Sequence, residues 1–151
     1  MRIGFGQNRT FLAGVRGVTT GLSNAIPVVV DSSGQFGTIS SSGRYKFDVE
    51  TMENASSAVL RLRPVTFRYK SYGPGSAVQY GLIAEEVAEV APELVVFDSL
   101  GRPETVMYHF LAPMLLNEVQ KQHAVIESQR HQIAELHARM ERIEALLGRR
   151  E

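Results

Sequence analysis

The run Leu115-Leu-Asn-Glu-Val119-Gln-Lys-Gln122-His-Ala-Val-Ile126-Glu-Ser-Gln129-Arg-His-Gln-Ile133-Ala-Glu-Leu136-His-Ala-Arg-Met140-Glu-Arg-Ile143-Glu-Ala-Leu-Leu147 sets its ten numbered residues at alternating spacings of four and three. That spacing returns every marked residue to one helix face, the seam of a coiled coil. Eight of the ten are apolar over more than four heptads, so the run reads as a coiled-coil helix and not as a helix lying on its own domain. At 1.5 Å per residue it spans about 50 Å, and it needs partner helices. Val119, Ile126, Ile133, Met140 and Leu147 take position a; Leu115, Gln122, Gln129, Leu136 and Ile143 take d. Isoleucine at both a and d favours three strands over two, and the two Gln layers give up stability to fix register. Arg139 at g and Glu144 at the following e can pair between helices, for well under about 1 kcal/mol if exposed. Pro113 suits the first helical turn and Gly148 the stop.

Upstream of the seam, the pattern is that of a small α+β unit. Val49, Met52, Ala55, Val59 and Leu62 recur three or four residues apart, which predicts an amphipathic helix from Asp48 to Leu62, ended by Pro64. Val65–Lys70 alternates as a strand does, Ser71–Ser76 has loop composition, Val78–Ile83 reads as a strand and Ala84–Val90 as a short helix before Pro92. Leu94–Phe97 and Glu104–Tyr108 read as a hairpin around Asp98-Ser-Leu-Gly-Arg102. Residues 1–43 are rich in Gly, Ser, Thr and Asn, with β-branched stretches such as Ile26–Val30 and turn signals such as Asp31-Ser-Ser-Gly34. Short strands of this kind have little apolar surface for a core of their own and need neighbours from other chains or a longer parent protein. The fold class is α+β: a short β-stalk (1–40), a small α+β domain (41–114) and a long C-terminal helix (115–151) forming a trimeric coiled coil.

The 151 residues suffice for about one ordinary core. Sixteen Lys and Arg balance sixteen Asp and Glu, so nothing recommends nucleic acid or an anionic membrane as partner. Zero cysteines exclude disulfides, thiolate nucleophiles and cysteine zinc sites. There is no membrane-length apolar run, and Met1–Thr10 lacks a signal-peptide core. The chain reads as soluble. His123, His131 and His137 fall at e, f and e, with His109 just ahead of the helix; they do not converge, and no metal or other cofactor is expected. Glu85 and Glu86 open a helix, where carboxylates favour the positive end of its dipole; no mechanistic role is assigned to them. The glycines form no phosphate-cradling motif.

What remains is Ser40-Ser41-Ser42-Gly43-Arg44-Tyr45-Lys46, at the change from glycine-rich strands to the α+β unit. By composition alone it is a loop with a cap. Ser/Lys catalysis there requires an ammonium of reference pKa about 10.4 to be desolvated until it is partly neutral and can take the hydroxyl proton.

From about Ser40 onward the chain resembles the intramolecular chaperone domain of phage endosialidases and other tail spikes, also classed as a self-cleaving serine peptidase domain, peptidase S74. The marker is Ser41-Ser42-Gly43-Arg44-Tyr45-Lys46 followed by Phe47-Asp48-Val49. Leu62–Lys70, Tyr80–Val87, Ala91-Pro-Glu-Leu94 and Tyr108-His109 leading into Leu115–Val119 are similar to its further blocks, in order. Ala13–Thr20 and Ile26–Val30 resemble the stalk before such domains. The resemblance implies a C-terminal folding aid on a β-rich fibre, which forms a homotrimer, templates its N-terminal passenger and cuts itself off once. Ser41 would be the nucleophile and Lys46 the base, with cleavage between Ser40 and Ser41. Ser41 is chosen among three serines because the family sets its nucleophile five residues before the lysine. Arg44 would support the turn, for instance by pairing with a carboxylate. The setting implied is phage tail assembly in the bacterial cytoplasm, or a prophage-encoded equivalent. Two rivals stay open: a non-cleaving trimerisation or tail-adaptor module with an inert Ser-rich linker, and a receptor-binding tip that stays on the fibre.

Overall fold

The structure, a computed structural model, describes residues 9–148. The first eight residues of the expected stalk and the last three of the expected coiled-coil helix lie outside the described residues. The chain forms two compact units, residues 1–49 and 50–151.

In the first unit, β1 (Val29–Val30) pairs antiparallel with β2 (Phe36–Gly37). Asp31 Oδ1 accepts hydrogen bonds from the Ser33 N–H and hydroxyl and from the Gln35 N–H. Gly34 supplies the left-handed residue of the turn, φ 80°. A single 3-10 turn, Gly43–Tyr45, follows. Among residues 9–49 none is buried; only Val29 and Ser42 are half-buried. Phe11, Val15, Val28, Val30, Phe36 and Ile39 are all exposed, because two strands of two residues have no second layer to cover them.

The second unit runs through a 3-10 helix (Ala55–Arg61), β3 (Val65–Phe67), a 3-10 turn (Lys70–Tyr72), β4 (Gln79–Gly81), α1 (Ala84–Val90), a 3-10 turn (Pro92–Leu94), β5 (Val95–Phe97), β6 (Pro103–Val106) and α2 (Tyr108–Leu147). β3 and β4 pair antiparallel with Thr66 opposite Tyr80. β5 and β6 form the expected hairpin, with a bulge at Val96/Phe97. Its turn repeats that of the first unit: Asp98 Oδ1 accepts from the Leu100 and Arg102 N–H groups, and Gly101 has φ 75°. Val59, Val87, Ala91, Leu94, Val95, Val106 and Met114 form the core, rimmed by Met52, Leu62, Leu82 and Leu111. The architecture is thus mixed α and β, with small two-stranded sheets and one long helix.

Two local expectations are corrected. The helix predicted over Asp48–Leu62 is a 3-10 helix starting only at Ala55; Asp48 and Glu53 have φ of 52° and 44°, which no right-handed helix accepts. Val59 reaches the core from it and Met52 and Leu62, just outside its ends, pack against that core, while Val49 stays 75% exposed. The long helix starts at Tyr108, seven residues before Leu115, so Pro113 and His109 both lie inside it. Proline removes the bond to the carbonyl four residues back. The helix continues because Met114 is buried in the core and Leu111 packs against it.

Candidate functional site

The Ser40–Lys46 junction lies in the first unit. Ser42, at φ −65° and ψ 134°, N-caps the Gly43–Tyr45 turn. Its hydroxyl accepts from the Arg44 N–H at 3.4 Å and from Arg44 Nε at 3.2 Å. The Tyr45 N–H donates to the Ser42 carbonyl at 3.1 Å and the Lys46 N–H to that of Gly43 at 3.2 Å. Ser40 Oγ accepts from the Ser42 N–H at 3.4 Å. The outer serines are therefore used in shaping the turn, whereas the Ser41 hydroxyl takes no part in these bonds. An aspartate in place of Ser42 would cap equally well, since both are strong N-cap residues. Arg44 lies 5.4 Å from the centroid of the Tyr45 ring, a cation–π distance, and among the described residues it meets Ser42 and Tyr45 rather than a carboxylate.

Lys46 itself is extended, and Ser41, Tyr45, Lys46 and Phe47 are all exposed. Among the described residues no hydrogen bond joins Ser41 to Lys46. Within its own unit Lys46 is exposed, and nothing there supplies the desolvation that a lysine base requires.

A Ser–Lys contact does occur in the second unit, where sequence reasoning did not look for one. Lys121 Nζ donates to Ser57 Oγ at 3.2 Å and to Glu118 Oε1 at 2.7 Å. Ser56, fully buried, donates to the same Glu118 oxygen at 2.5 Å. Asn117 Nδ2 donates to Ser56 Oγ at 2.6 Å and to the Glu53 carbonyl at 2.8 Å. These bonds fasten α2 to the 3-10 helix. The only sequence signal for this cluster is Asn117, Glu118 and Lys121 clustered on one helix surface; their partners lie 61 to 64 residues away.

The Glu118 carboxyl is held below its ordinary value, first by the hydrogen bond from Lys121 and then by that from Ser56. A carboxyl lowered by folding stabilises the fold above its unfolded value, near 4.5, and that contribution is lost as pH falls through the folded value. The gap in urea stability between wild type and Glu118→Gln is therefore expected to be constant from about pH 7 to 6 and to close towards about pH 3. A gap that persists in acid would contradict this. Glu86 is likewise lowered, by Arg63 of the preceding segment. That pairing is the role the structure gives to Glu86; Glu85 lies beside it in the first turn of α1.

On α2, the face carrying Leu111, Met114, Glu118 and Lys121 packs on the second unit, and the heptad face is left uncovered. Leu115, Val119, Ile126, Ile133, Leu136, Met140, Ile143 and Leu147 are all exposed. After Lys121 every described helix residue is exposed except half-buried Ala138. His123, His131 and His137 are among them, and no three His, Asp or Glu side chains converge among the described residues. None of the described helices is long and apolar enough to cross a membrane.

Residues 41–96 match the Peptidase_S74 family, chaperone of endosialidase, in agreement with the resemblance read from the sequence. The match begins at Ser41 and spans the end of the first unit and the start of the second. No curated protein matches the chain.

Proposed function

We propose that this chain, which carries a chaperone-of-endosialidase domain, trimerises through α2, templates the folding of a β-rich passenger fibre joined to its N-terminus, and then cuts itself between Ser40 and Ser41. The observation that carries the reading is the uncovered heptad face of α2, over more than four heptads. Leaving so many apolar residues in water is unfavourable by roughly 25 cal/mol per Å², and helices of the same chain are the natural cover. Val125 and Leu146, apolar and exposed at g, widen the stripe beyond a and d, which suits three helices better than two. The exposed apolar residues of the first unit fit strands completed by their neighbours in a trimeric stalk of phage-tail type.

In the cleavage step a neutral Lys46 amine takes the Ser41 hydroxyl proton as Oγ bonds to the Ser40 carbonyl carbon. The Ser40–Ser41 C–N bond then breaks, and the lysine returns the proton to the departing amine. Water hydrolyses the resulting ester, leaving a carboxylate on Ser40 and restoring the Ser41 hydroxyl. Exposure of Lys46 in the single chain makes this step conditional on assembly, since only packing against neighbouring copies removes water from the amine. The same exposure also favours the second reading, a non-cleaving trimerisation or adaptor module.

Incubation of the purified chain, followed by intact mass and N-terminal sequencing, separates the two. A fragment beginning at Ser41 is expected, and Ser41→Ala and Lys46→Ala are each expected to abolish it while leaving the trimer. An uncut trimer after prolonged incubation would support the adaptor; normal cleavage by either variant would rule out the dyad.

A further inference from the structure

Beside the first turns of α2, an open groove of about 560 Å³ is lined by Pro64, Val65, Thr66, Tyr80, Leu82 and Leu111. Tyr80, on the outer face of β4, is 82% exposed. Leu111 lies at position g, on one flank of the heptad seam, and Leu116 at e, on the other, 58% exposed. The two are five residues apart, about 140° around the helix, so a chain's own Leu116 points away from its own groove. In a parallel coil, however, position g of one helix faces the e of the next heptad on its neighbour, five residues on. Leu111 therefore faces Leu116 of a second copy.

We infer that Leu116 of each copy inserts beside Leu111 and Tyr80 of the next, so that the trimer interface extends from the coil onto the β3–β4 sheet; this rests on the parallel trimer proposed above. Each copy gives one Leu116 and one groove, a head-to-tail contact that closes on itself around a threefold axis. It adds apolar contact at the root of the coil, beyond the a and d positions. It also accounts for two large apolar residues, Tyr80 and Leu116, that neither the core nor the a and d positions use.

The test is the dissociation of the full chain on dilution, followed by analytical ultracentrifugation, for wild type, Leu116→Lys, Tyr80→Glu and the double variant. Both positions are exposed in the single chain, so the fold is spared, as circular dichroism checks. Each single variant is expected to dissociate at concentrations at least about tenfold higher than wild type. The double variant, which sets opposite charges against each other across the contact, is expected to recover most of that loss. Single variants that dissociate as wild type does, or a double variant that loses the sum of the two, would overturn the inference and leave the trimer standing. A wild type monomeric throughout would overturn the trimer itself.

Discussion

A chain carrying Ile126→Asp and Ile133→Asp is expected to be monomeric at micromolar concentration and to release no fragment, while keeping the near-native spectrum of its folded unit. Both residues occupy a positions, and both lie beyond Lys121, where every described helix residue but half-buried Ala138 is exposed. In the monomer each substitution exchanges an exposed apolar side chain for an exposed charge, at little cost to the core. In a trimer the same changes bury six carboxylates in two layers around one axis, each needing several kcal/mol of desolvation with no cation to offset it. In the proposed mechanism association is what dehydrates Lys46, so cleavage should fall with assembly. Sedimentation and intact mass read the two effects on one sample. A stable trimer in this variant would show that the seam is not the assembly surface; a monomer that still cleaves would show that Lys46 needs no neighbour.

The order of events follows from where contacts lie in the chain. A heptad seam joins copies through local, in-register contacts, whereas intertwined strands pair over long sequence separations and form slowly. In the proposed function, α2 associates first and raises the effective concentration of three stalk segments for one another. Val30, Phe36 and Ile39, exposed in the single chain, are then covered by copies already aligned. Cutting after Ser40 removes the route by which the fibre formed and leaves a kinetically trapped product.

Where the sequence carries a local physical cause, the structure follows it. Ala84–Val90 ends before Pro92 because that proline restricts the residue ahead of it, and the Asp98 turn forms because one aspartate oxygen satisfies two backbone N–H groups. The three-residue spacing of Val49 to Met52 is helical, but Asp48 and Glu53 take positive φ, which no local pattern announces. The start of α2 at Tyr108, ahead of Pro113, has a related cause. Pro113 is a strong helix-start signal, and only the packing of Leu111 and Met114 allows a helix to run through it. Ser56 and Glu118 were invisible, since nothing local distinguishes a serine that will bury its hydroxyl against a helix 62 residues away. At the junction, the motif named Ser41 and Lys46 by resemblance. In the proposed function the environment that sets their reactivity belongs to the trimer, and one chain's sequence does not spell it out.

Leu94→Ala is expected to cost about 2–5 kcal/mol, much of the stability of a domain this small, for which 5–15 kcal/mol is typical. Leu94 is 2% exposed and sits where α1 gives way to β5, among Val87, Ala91, Val95, Val106 and Met114. Its own carbonyl accepts from the Met107 N–H at 2.8 Å, closing the hairpin just before α2 begins. The deletion thus leaves a cavity where helix, hairpin and the root of the long helix meet. Val49→Ala, at a site that is open in the single chain, serves as the comparison and is expected to change the stability of a monomeric form by less than about 0.5 kcal/mol. Measured in the Ile126→Asp/Ile133→Asp background, urea unfolding reads the folded unit alone, free of the concentration dependence that assembly adds. Should Leu94→Ala unfold there at the same urea concentration as its parent, the core would not be centred on Leu94. Should Val49→Ala prove equally costly there, the backbone reversal at Asp48 and Glu53 would have to place Val49 inside.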